Sequence, residues 1–128
     1  MVGFGLTEVL STRGGSKTRF TLSCLGSPLP QPSLFVSDEG VPYPHPSLPP
    51  LLIIKAPTSL DVWRVGLEAT QTGLFENIIL RPSASCPVAH LRRLQIHAER
   101  TRTRIFLLPR IKLPHWLIKN TYETNPLL

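Results

Sequence analysis

The sequence predicts a small, irregular α+β domain: short strands, one helix near residues 87–99, and a proline-rich disordered segment. Three observations lead there. Val88, Leu91, Leu94 and Ala98 recur at spacings of three and four, the signature of one buried helix face. The other apolar residues fall into runs too short for helices. Fourteen prolines in 128 residues limit the length of any regular element, since each removes a backbone donor and fixes φ.

Taken in order, the N-terminal piece is 1–27. Ser11–Lys17 is a loop by composition. In Arg19–Leu25, Phe20, Leu22 and Cys24 alternate with Thr21 and Ser23, which reads as a half-buried strand ended by Gly26. Residues 28–50 hold eight prolines and read as a polyproline-type linker that divides the chain. Residues 51–128 are then a small basic domain. Leu51–Ile54 suits one buried strand. Over 58–81 two patterns compete. Thr58 and Asp61 have the spacing of a capping box, which starts a helix. Trp63, Val65, Leu67 and Ala69 instead alternate with polar residues ahead of the apolar Leu74–Leu80, and this favours a β-hairpin. Ser85 is placed to cap the helix that begins near Pro87. Pro109 and Pro114 break the C-terminal end of the chain into short pieces.

Charge is the strongest functional signal. Residues 81–128 carry nine Lys/Arg and two Glu, whereas residues 1–80 carry five Lys/Arg and six Asp/Glu. A concentrated positive field attracts phosphate-bearing surfaces. Arg100, Arg102 and Arg104 have period two. In an extended strand their guanidiniums form a rail about 6–7 Å in step, suited to a phosphate backbone. Arg92, Arg93, Arg110 and Lys112 widen the patch. The leading expectation is therefore a small basic protein that binds RNA or another polyanion through its C-terminal third, with Phe106 and Trp116 near enough in sequence to stack on bases.

Two rival expectations rest on other features. Apolar residues interleaved with Arg110, Lys112 and Lys119 over 102–119 suit an anionic membrane surface, with Trp116 at the interface. Leu, Pro, Arg and Ser together make up 55 of the 128 residues, the bias of a reading frame not selected as coding. This yields an orphan product with no specific function.

No enzyme is expected, and no cofactor, metal or small-molecule substrate. Residues 11–18 have the length of a phosphate-binding loop, but Ser11 and Ser16 stand where its glycines belong. Gly3-Phe4-Gly5 opens a dinucleotide-type pattern that Glu8 breaks. His45, His90, His97 and His115 are scattered, and Asp38-Glu39 beside Gly40 reads as a solvated turn. Pro46–Pro49 is a PxxP without a flanking basic residue. Cys24 and Cys86 make neither a disulfide framework nor a zinc site, and two reduced thiols are favoured over one bridge. Arg13, Lys17 and Arg19 against one acid, Glu8, lean the reading toward an intracellular, mitochondrial location, with Val2–Ser11 as an amphipathic helix.

Overall fold

The computed structural model describes residues 5–11, 33–40, 51–84, 87–108 and 120–124. Its elements in chain order are β1 (Gly5–Ser11), β2 (Ser33–Ser37), β3 (Leu52–Lys55), α1 (Ser59–Thr72), β4 (Asn77–Arg81), α2 (Val88–Thr101), β5 (Arg104–Leu107) and β6 (Asn120–Thr124). The strands form one sheet in the order β3-β2-β4-β5-β1-β6, and every pairing is parallel. The class is thus α/β and not the irregular α+β expected. Strands drawn from residues 5–11, 33–37 and 52–124 share this sheet.

The reason lies in the apolar runs. A parallel sheet is covered on both faces, so its strands are continuously apolar instead of alternating. Leu34-Phe35-Val36, Ile78-Ile79-Leu80 and Ile105-Phe106-Leu107-Leu108 are all fully buried or nearly so. Leu34, Val36, Ile78, Leu80, Ile105, Leu107 and Leu6 join the helical side chains in one core. Phe35, Ile79 and Phe106 alternate with them along the strands and stand in register on the opposite face. The connections β3-α1-β4 and β4-α2-β5 both step the same way across the sheet. Right-handed crossovers then put α1 and α2 side by side on one face.

The hairpin expected over 58–81 is instead α1 followed by β4. The capping residues decide it. Thr58 is extended (φ −137°, ψ 165°), and its Oγ1 accepts from the Asp61 N–H at 3.2 Å and donates to Asp61 Oδ2 at 2.7 Å. Gly73 ends the helix in the left-handed region (φ 68°), with its N–H on Thr70 O. Between these stops Val62, Trp63, Gly66, Ala69 and Thr70 form the buried stripe. Gly66 lets α1 lie close on the sheet: a Cβ there would stand 2.6 Å from Leu80 Cδ1.

The helix expected near 87–99 is present as α2, and Leu91, Leu94 and Ala98 are its buried stripe. Val88 is exposed, and Pro87 caps without a side-chain bond. Ser85, expected as the cap, lies outside the described residues. The proline-rich segment 28–50 is not a linker throughout: Ser33–Ser37, free of proline, forms the fully buried β2 between β3 and β4. A strand stands close to the expected Leu51–Ile54, as β3 from Leu52 to Lys55, but it lies at the sheet edge with Leu52 and Ile53 exposed and is not buried. The helix expected over Val2–Ser11 is the strand β1 from Gly5 onward. The strand expected over Arg19–Leu25 lies outside the described residues, as does the loop expected over Ser11–Lys17 apart from Ser11, which is the last residue of β1.

Candidate functional site

Two regions of this fold gather chemistry: the carboxyl edge of the sheet and the outer side of β3. In open parallel sheets, ligands favour the carboxyl edge where connections diverge. Here that point falls between β2, whose chain leaves outward to β3, and β4, whose chain leaves inward to β5. The polar groups there bond to one another. Asp38, just past β2, accepts from the Ser83 N–H at 2.9 Å and from the Ser83 hydroxyl, which ties the β4–α2 connection to the end of β2. Ser59, in the first turn of α1, accepts from the Ala84 N–H and donates to the Ala84 carbonyl, both at 3.1 Å. The Glu39 N–H donates to Ser37 Oγ at 3.1 Å. Asp38-Glu39 thus lies in a bend at the edge, and its first carboxylate anchors a loop.

β3 is the opposite case. It ends the sheet, and its sequence Leu52-Ile53-Ile54-Lys55 carries no charge before its last residue. Ile54 packs on the core, whereas Leu52 is 54% and Ile53 38% exposed. Backbone polarity follows from one bond. The Ala56 N–H donates to Ser37 O at 2.8 Å, with Lys55 in register with Ser37. In a strand, N–H and C=O groups alternate sides with period two. Leu52, Ile54 and Ala56 therefore bond toward β2, and the N–H and C=O of Ile53 and Lys55 point away from the sheet. Apolar side chains beside an open backbone edge form a template for another strand.

The arginines expected to act together are separated by the fold. Arg92 and Arg93 are exposed on α2, away from its buried stripe. Arg100 is in the last turn of α2, and Arg102 is its left-handed cap residue (φ 56°). Arg104 begins β5 between β4 and β1; its side chain is only 17% exposed and lies 3.9 Å from Glu76 Oε1. Helix, cap and strand in succession abolish the period-two rail. Arg110 and Lys112 lie outside the described residues. The RNA-binding expectation therefore does not stand. The membrane expectation fails at its start, because Ile105–Leu108 is buried in the middle of the sheet; its remainder, 109–119, lies outside the described residues. Among the described residues, no helix is long and apolar enough to cross a membrane, and no group of three His, Cys, Asp or Glu could hold a metal ion. His97 stands 3.4 Å from Gln71 across the helix pair, and His90 Nδ1 is buried without a hydrogen-bond partner.

Leu52 and Ile53 were legible as part of a strand but not as a surface. The available signal was proline: Pro49-Pro50 and Pro57 bracket the run, and prolines gather at edge strands because a central strand needs every donor.

No protein-family model matches the sequence, and no curated protein matches it. Among solved structures, SulA from Pseudomonas aeruginosa has a similar fold, with TM-score 0.56 and 14% identity over 80% of this chain and 97% of that one. This likeness concerns the fold. It also overturns the orphan expectation of a chain with little evolved structure, since a similar fold occurs in a solved protein.

Proposed function

We propose that this chain is a non-catalytic interaction domain that takes up an extended polypeptide segment as an added strand on β3. The observation that carries this reading is the outward N–H and C=O of Ile53 and Lys55 beside the exposed Leu52 and Ile53. Strand addition uses such an edge for affinity through main-chain bonds, and alternate side-chain contacts for specificity. The carboxyl edge supports a structural role by contrast: Asp38, Ser83 and Ser59 use their polar atoms to fasten one loop to another.

The test is a fluorescein-labelled peptide carrying residues 51–56 between acidic flanks, titrated with the full chain. Fluorescence anisotropy should rise saturably, with a Kd on the order of 10–1000 μM, since a single added strand buries less than a standard interface. Ile53→Lys should weaken binding while leaving the far-UV circular dichroism unchanged. Absence of saturable binding at millimolar protein would overturn the proposal.

A further inference from the structure

We infer that the segment taken up by β3 is β3 of a second copy, in an antiparallel, two-fold arrangement centred on Ile53; this rests on the strand-addition reading above. Three observations select the occupant and its register. The first is charge. A parallel, in-register copy would set Lys55 beside the partner's Lys55 about 4.8 Å away, where like charges are destabilising. The antiparallel arrangement carries the two lysines to opposite ends, about 14 Å apart and beyond a Debye length at physiological salt.

The second observation is backbone direction. Opposed residues of an antiparallel pair lie on the same face, so a two-fold axis normal to the sheet must pass through a self-paired residue. Ile53 points its N–H and C=O outward. Centring on it lets Ile53 exchange both bonds with the partner's Ile53, and Leu51 and Lys55 exchange theirs with the partner's Lys55 and Leu51. That makes about six ladder bonds. Centring on Ile54 makes about four, because its outer pairs would join Leu51 to Pro57, which has no donor and lies in the bend beyond the end of β3.

The third observation is side-chain complementarity. In the Ile53-centred register Leu52 faces the partner's Ile54, so the half-exposed Leu52 and Ile53 are both covered by aliphatic groups. The axis normal to the sheet keeps both helix pairs on the same face, and the two six-stranded sheets become one continuous sheet.

The test uses the full chain with Cys24→Ser and Cys86→Ser. Sedimentation equilibrium over a concentration series should show a monomer–dimer equilibrium, and Ile53→Lys, which opposes two ammonium groups across the axis, should raise the dimer Kd about tenfold or more. Under mild oxidation Ile53→Cys should form covalent dimers, since the self-paired Cα atoms would stand about 5.5 Å apart. Ile54→Cys should not, its Cα atoms being about 8 Å apart. Preferential cross-linking of Ile54→Cys would overturn the register. A chain that stays monomeric at millimolar concentration while still binding the labelled peptide would overturn the second copy and leave strand addition standing. A monomer that binds no peptide would overturn both.

Discussion

Replacing Gly66 with alanine adds one methyl group where α1 meets β4, and its effect can be worked from the geometry. The new Cβ would stand 2.6 Å and 2.8 Å from the two methyl carbons of Leu80, about 1 Å inside ordinary contact. Leu80 is fully buried, so its side chain has no room to swing aside. Overpacking of this kind costs about 1–3 kcal/mol. Against it, alanine gains about 1 kcal/mol over glycine inside a helix. The net expectation runs from near neutral to a loss of about 2 kcal/mol, which for a chain of this size lowers Tm by up to roughly 8 °C. The assay is thermal and urea unfolding of Gly66→Ala, Leu80→Ala and the double variant. Leu80→Ala alone should cost about 2–5 kcal/mol through the cavity it leaves. In that background Gly66→Ala should become neutral or stabilising, because the clash is gone and the helix gain remains. Additive losses in the double variant would refute the close approach of α1 to β4.

Other expectations rest on single contacts. Thr58→Ala removes the acceptor for the Asp61 N–H and should cost about 1 kcal/mol in urea unfolding, with Thr58→Ser largely restoring it. Arg102→Gly should stabilise by about 0.5–1 kcal/mol because its φ of 56° suits glycine, whereas Arg102→Val should destabilise. Arg104→Ala should cost about 1–3 kcal/mol through lost packing at the start of β5, while Arg92→Ala and Arg93→Ala, exposed on α2, should stay within about 0.5 kcal/mol. Asp38→Ala should loosen the β4–α2 connection, read as faster amide exchange at Ser83 with the core amides of Ile78 and Ile79 unchanged.

The sequence was most legible where period and packing agree. Leu91, Leu94 and Ala98 are buried on α2 as their spacing predicts. It was least legible where the sheet hides strands on both faces. Phe35 and Val36 sit inside a proline-rich stretch, and composition averaged over 28–50 masks a five-residue strand that contains no proline. Trp63, Val65, Leu67 and Ala69 mimic alternation because a helix stripe at 62, 63, 66, 69 and 70 shares two of the same positions. The cap at Thr58 and the stop at Gly73 were the discriminating signals. The arginine rail failed for a related reason: period two is meaningful only if the segment is extended, and Arg100–Arg104 spans a helix end, a left-handed cap and a strand start. The polarity of the β3 edge depends on the Ala56–Ser37 bond, which no local pattern encodes.

Residue-resolved amide hydrogen exchange, with and without saturating amounts of the labelled 51–56 peptide, tests strand addition most directly. Ile53 and Lys55 direct their N–H groups outward, so both should exchange rapidly in dilute free protein and become protected on binding. Ile54, already bonded toward β2, should exchange slowly in both states. Protection that appears on α1 or α2 while Ile53 and Lys55 stay unprotected would contradict the account.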